Sequence, residues 1–186
     1  MLIKHEREKL INTIVYFSQN VKHFGKIKLC KLLYFFDFEH YKITGRSVTG
    51  LDYYAWKMGP VPVTLYNELQ NPKPDLLEKI SLEEIPTRHK NPMLALRPRE
   101  NTEFNSSLFS KREKKLLETL VSKYKDMKAD DIIEATHLDN QPWDKIYNKL
   151  NKKEELIPYE LALNSQELQE MKKIIHDRKE FIDALS

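Results

Sequence analysis

Apolar positions in the first 40 residues recur at helical spacing rather than in strand alternation. Ile3, Leu10, Ile14 and Phe17 form one stripe, which predicts an amphipathic helix over residues 3–18. After Gly25 the pattern changes. Leu29, Leu32, Leu33, Tyr34, Phe35, Phe36 and Phe38 cover nearly every side of a second helix that runs to about Tyr41. A helix apolar all round is buried on several sides, so this segment is expected to be the centre of the core. The stretch TGRSVTG (44–50), with glycines near both ends, has no period and reads as a structured loop. Tyr53 to Met58 reads as a short strand and Gly59-Pro60-Val61-Pro62 as a sharp turn. Strand alternation then sets Tyr54, Trp56 and Met58 on the face opposite Tyr53 and Ala55.

A short helix should follow, with Leu65, Tyr66 and Leu69 inward and Pro72 and Pro74 beyond its end. Residues 78–85 and 92–98, bounded by prolines at 86, 92 and 98, are the other strand candidates and predict a small antiparallel hairpin. The second half is helical again. Ser110 and Glu113 have capping-box spacing ahead of Leu116, Leu117, Leu120, Val121, Tyr124 and Met127. A short helix is expected at 129–137. Pro142 suits the first turn of another, in which Trp143, Ile146, Tyr147 and Leu150 share a face. Asn164 with Glu167 could cap a last helix carrying Leu168, Met171, Ile175 and Ile182. The fold class expected is therefore mainly α: a helical bundle around the buried helix with a small antiparallel β element. No repeat or linker divides residues 1–186, which read as a single domain.

Composition narrows the function classes. The 186 residues are 40% hydrophobic and 32% charged, typical of a globular chain rather than a disordered or membrane one. The longest apolar run is too short to span a bilayer, and the charged N-terminus lacks a signal-peptide core, so no membrane partner is expected and the cytoplasm is the default. The single cysteine, Cys30, cannot form an internal disulfide, and its place on the buried helix reads as a packed thiol. Net charge is +3, short of what a dedicated nucleic-acid binder concentrates. Residues 1–31 nevertheless hold seven Lys/Arg against Glu6 and Glu8, a local excess of +5 that reads first as a solvated helix face and only secondarily as a patch for an acidic partner or nucleic acid.

Nucleotide-binding glycine loops, the hydrolase nucleophile elbow and clustered Cys/His zinc patterns are all absent. Two constellations remain. Asp37 and His40 lie at i, i+3 on one helix face, where an imidazole held by a carboxylate could act as a base or as half of a metal site. The bland alternative is a helix-end pair that anchors the following loop. Thr136-His137 precedes Trp143, and His137 could join Asp37 and His40 in space. The alternative there is a histidine at a helix end. Arg46 could hold an anion with its planar fork, or pair with Asp37 or Glu39. Tyr53, Tyr54 and Trp56 either pack internally or expose one aromatic row of the kind that anchors protein partners.

The run KLCKLLYFFDFEHYKITGRSVTGLDYYAWKMGPVP (28–62) resembles the signature of the Panacea domain, the SocA-like antitoxin family. The matching positions include Leu32, Leu33, Tyr34, Asp37, His40, Tyr41, Thr44, Gly45, Arg46, Thr49, Gly50, Tyr53, Ala55, Gly59, Pro60 and Val61. Thr136-His137 with Pro142-Trp143 resembles a second, weaker block, and Ile157-Pro158-Tyr159-Glu160 a third. The resemblance implies an antitoxin that neutralises a neighbouring toxin by binding it, with no cofactor, no metal and no catalysis. It further implies that a protease can be a second partner, since the founding member resembles an adaptor that delivers its toxin for degradation. The partner-binding or signature residues it nominates are Asp37, His40, Tyr41, Arg46, Thr49, Tyr53, Tyr54, Trp56, Gly59 and Pro60. The competing readings are an enzyme or metalloprotein acting through Asp37, His40 and His137, and a nucleic-acid binder using the basic N-terminal helices.

Overall fold

The computed structural model describes residues 5–87, 92–138 and 140–184. The chain is mainly α-helical with two small antiparallel two-stranded sheets. Helix α1 (Glu6–Asn20) buries Leu10, Ile14 and Phe17 against α2, as their spacing requires; Ile3 lies outside the described residues. Helix α2 (Lys26–Thr44) is buried along almost its whole length, with Leu29, Leu32, Leu33 and Phe36 fully inside. It starts at Gly25 and ends at Gly45, whose left-handed backbone (φ 68°) lets its amide cap the Tyr41 carbonyl. An edge-to-face contact of Phe36 with Phe17 (6.5 Å) and a stack of Phe35 on Tyr124 (5.0 Å) join α2 to its neighbours.

Strand β1 (Tyr54–Trp56) pairs antiparallel with β2 (Gly59–Val61), Ala55 opposite Pro60. This corrects one expectation. The sharp turn is at Lys57-Met58, and the Gly-Pro-Val stretch is the return strand rather than the turn itself. Gly59 makes the tight reversal possible by taking φ +94°. The outer edge of β1 is filled by the segment 154–157: the Ala55 amide donates to the Glu155 carbonyl (2.9 Å) and the Ile157 amide to the Tyr53 carbonyl (2.8 Å). The segment makes a single β-bridge, Leu156 to Tyr54, and no periodicity announces it.

Helices α3 (Val63–Glu68) and α4 (Pro74–Leu77) lead into β3 (Ile80–Ile85) and β4 (Met93–Pro98), the hairpin expected, with Leu82 opposite Leu96. Helix α5 (Lys111–Tyr124) begins at a capping box in which Ser110 and Glu113 each accept from the other's amide, and buries Leu117, Leu120 and Tyr124. Helix α6 (Ala129–Thr136) follows. The next helical stretch departs from expectation. Helix α7 (Pro142–Asp144) continues as a π-turn over Lys145–Lys149. The widened turn shifts the register, so Trp143 and Ile146 are buried while Leu150 is exposed. Helix α8 (Ser165–Ala184) opens with Asn164 and Glu167 capping one another (2.8 and 2.9 Å) and docks on Tyr41 through Leu168 and Met171. Ile174 and Phe181, farther along it, are exposed.

Candidate functional site

The signature residues converge where the C-terminal half of α2 meets the 44–53 loop. Asp37, fully buried, is the centre. Its Oδ1 accepts the amides of Val48 (2.8 Å) and Thr49 (2.9 Å), and its Oδ2 accepts the hydroxyls of Tyr53 (2.8 Å) and Thr49. Burial pushes the carboxyl above its ordinary value, and these donors work against that shift. One side chain thus satisfies two loop amides and fixes Tyr53. Four protein donors and full burial commit this carboxylate to the loop.

His40 sits one turn on and is not bonded to Asp37. Its Nδ1 donates to the Arg46 carbonyl (2.9 Å), and Thr44 Oγ1 lies 3.1 Å from the same nitrogen. The other nitrogen is 3.9 Å from Glu113 of α5. Burial lowers the imidazole pKa, so His40 is a neutral hydrogen-bonding post. Glu113 accepts from Lys9 Nζ (2.6 Å) and the Ser110 amide (2.7 Å); burial opposes its ionisation, yet those donors hold its carboxyl below the ordinary value. Arg46 joins through its backbone only. Its guanidinium is exposed and pairs with neither Asp37 nor Glu39 among the described residues. The loop is anchored by its carbonyl and amides, because a helix-end carboxylate and imidazole reach main chain more closely than they reach an arginine tip.

Tyr41 is buried and stacks on Tyr159 (5.2 Å), whose hydroxyl donates to the Leu51 carbonyl (2.5 Å). Gly50 takes φ 70° at the end of the loop. In the β1–β2 hairpin, Tyr53 and Ala55 are fully buried, whereas Tyr54 and Trp56 are half-buried and Met58 is exposed. The alternation therefore leaves one aromatic row facing outward, extended across the strand by exposed Leu156 opposite Tyr54. Trp56 rests edge-on against Tyr66 (5.1 Å), and its carbonyl accepts Trp143 Nε1 (2.8 Å).

Behind the hairpin lies a group that sequence reasoning missed. Lys31 is buried and donates Nζ to the Pro60 carbonyl (2.9 Å). Only glycine fits at position 59: an added Cβ would stand 2.6 Å from Thr136 Oγ1 and 2.8 Å from Lys31 Nζ. Among the described residues no carboxylate answers the lysine, and burial lowers its pKa to about 8. His137 terminates α6 and stacks on Trp143 (3.8 Å), its Nε2 buried without a hydrogen-bond partner among the described residues. Donor atoms of Asp37, His40 and His137 do not gather at one point. Among the described residues the one group with metal-ligand spacing is His176, Asp177 and Glu180, exposed on α8. Cys30 is buried and its thiol is pushed up to about 11, which makes it inert.

The basic N-terminal patch is smaller than its count suggests. Lys28 and Lys31 are buried, Arg7 grips Glu68 and Asp75, Lys9 pairs with Glu113 and Lys22 with Asp126. Among the described residues no helix is long and apolar enough to cross a membrane.

A family model described as "Antitoxin SocA-like, Panacea domain" matches residues 29–144 of the 186. Comparison with curated proteins and with solved structures returns no match.

Proposed function

Because the chain belongs to the SocA-like antitoxin, Panacea domain family, we propose that it neutralises a cognate toxin by direct protein–protein contact and performs no reaction of its own. The observation that carries this reading is how the signature divides. Its polar residues, Asp37, His40 and Thr49, are consumed by internal hydrogen bonds, while the aromatic row of Tyr54 and Trp56 faces outward. Large amphipathic rings on a short, pinned hairpin supply contact area at low conformational-entropy cost. The toxin-facing surface in this reading is Tyr54, Trp56, Met58 and Leu156. Enzymatic use of Asp37, His40 and His137 is disfavoured because the three do not share a site.

The test is co-expression with the neighbouring reading frame, which should be toxic alone and rescued by this protein, with the two co-purifying. Trp56→Ala should weaken binding by about 2 kcal/mol or more, roughly 30-fold, while circular dichroism stays unchanged. A folded Trp56→Ala protein that neutralises fully would remove the interface from this hairpin. Absence of any toxic or binding neighbour would overturn the antitoxin reading. Toxin level separates the two modes of action: delivery to a protease lowers it on co-expression, whereas direct inhibition leaves it constant.

A further inference from the structure

Lys31 lies behind the first hairpin with its amine bonded to a carbonyl alone, and we propose that this hairpin is a flap whose opening is driven by the charge on that amine. The side chain comes from α2 and is 2% exposed. Its Nζ donates to the Pro60 carbonyl (2.9 Å), an acceptor that the hairpin's own ladder leaves over. Ala55 bonds away from β2: its amide donates to the Glu155 carbonyl (2.9 Å), and its carbonyl accepts the Glu154 amide (2.9 Å). Tyr54 and Trp56 therefore make the bonds to β2, and Pro60, opposite Ala55, turns its carbonyl away from β1. Lys31 is thus the fastening of β2 onto α2.

A buried ammonium is stable only with several acceptors or a counter-charge, and the groups around this one supply neither. Cys30 on α2 is pushed up to about 11 by burial, and Tyr34, one turn on, is pushed up as well. His137 at the end of α6 is lowered, first by burial and then by the lysine's own charge. All three are neutral near pH 7, and β2 brings only Gly59, Pro60 and Val61. The charged form therefore gains by reaching water. One of its two walls must give way. Helix α2 is buried along almost its whole length, whereas the cover is two three-residue strands joined at Lys57-Met58. The cover has the fewer interactions to break, so it is the part that moves. With a pKa of about 8 in the closed state and 10.5 in water, linkage makes the open population about ten-fold smaller at pH 9 than at pH 7 and level below pH 7. Tyr54 and Trp56 ride on this hairpin, so one amine behind it sets how much of the time their row holds its shape. The motion belongs to the hairpin itself and does not depend on the antitoxin reading.

Amide exchange on the ¹⁵N-labelled full chain in low urea tests this, with Ala55 reading the hairpin and Leu117, inside α5, reading global unfolding. Ala55 should exchange through a local opening, insensitive to urea and protected at least about ten-fold less than Leu117. Corrected for its intrinsic rate, Ala55 protection should rise about ten-fold from pH 7 to pH 9 and stay level from pH 6 to pH 7. Lys31→Met should abolish that rise and leave Ala55 better protected at pH 7. Lys31→Arg, which cannot lose its charge, should hold Ala55 at pH 9 as weakly protected as at pH 7. The chain's two tryptophans, Trp56 and Trp143, both belong to this unit, so their quenching by acrylamide should fall over the same window. If either variant fails to fold, the wild-type profile still decides, because Cys30, Tyr34 and His137 all titrate outside pH 7–9. The proposal is overturned if Ala55 shares the urea dependence and protection of Leu117, if its protection stays level from pH 7 to pH 9, or if Lys31→Met shows the same rise.

Discussion

Replacing Asp37 tests the idea that the signature is architecture. The carboxylate accepts four hydrogen bonds inside the protein, two from backbone amides and two from hydroxyls. In Asp37→Ala the hydroxyls of Thr49 and Tyr53 can rotate, but the amides of Val48 and Thr49 have nowhere to turn. Each orphaned buried amide costs about 1–3 kcal/mol, and such losses overlap within one site, so the expected destabilisation is about 3–5 kcal/mol. Asp37→Asn keeps a carbonyl oxygen for the two amides and asks the hydroxyls to accept from its NH₂ instead; the expected cost is about 1–2 kcal/mol. Urea unfolding measures both. Amide exchange supplies the local readout: Val48 and Thr49 should exchange much faster in the alanine variant and near normally in the asparagine variant. Losses below about 1 kcal/mol in both, or unchanged exchange at these amides in Asp37→Ala, would refute the loop-anchoring role.

Leu33→Ala removes a fully buried side chain from the centre of α2 and should cost about 2–5 kcal/mol in urea unfolding. Lys31 predicts an unusual pH dependence. Its folded pKa, about 8, is below the unfolded 10.5, so the unfolded state binds more protons between those values and stability rises with pH across that window. From pH 7 to pH 9 its contribution should grow by about 1.3 kcal/mol, a gain that Lys31→Met should abolish; a wild-type chain whose stability does not rise relative to Lys31→Met over this range would count against a buried amine bonded to a carbonyl alone.

Much of the fold was legible because its signals are local. Caps at Ser110–Glu113 and Asn164–Glu167, the all-round apolar face of α2 and the alternation of Tyr53 to Met58 all act within a few residues, and all appear in the structure. What stayed hidden depends on contacts distant in sequence. Residues 154–157 bridge β1 through backbone bonds only because its edge lies open about 100 positions earlier. Lys31 counts as surface charge until Pro60 and Gly59 are seen folded over it. The sequence signal of Arg46 lies in its side chain, whereas the loop uses its carbonyl. The π-turn at 145–149 exposes Leu150, and no residue in that stretch marks a widened turn.

The inward direction of the signature has a consequence for specificity. Asp37, His40, Thr49, Gly59 and Pro60 spend their chemistry on α2, the 44–53 loop and the first hairpin, and Lys31 locks that hairpin from behind. Residues that bond only within the domain constrain its shape and say nothing about what lies outside it. A signature of this kind can therefore recur in chains that bind different proteins, because recognition falls to positions it leaves free. In this chain the proposed recognition surface is the outward row of the first hairpin, Tyr54, Trp56 and Met58. A rigid interior beneath a separate outward aromatic row is the arrangement expected of a binding module whose partner can change while its fold does not.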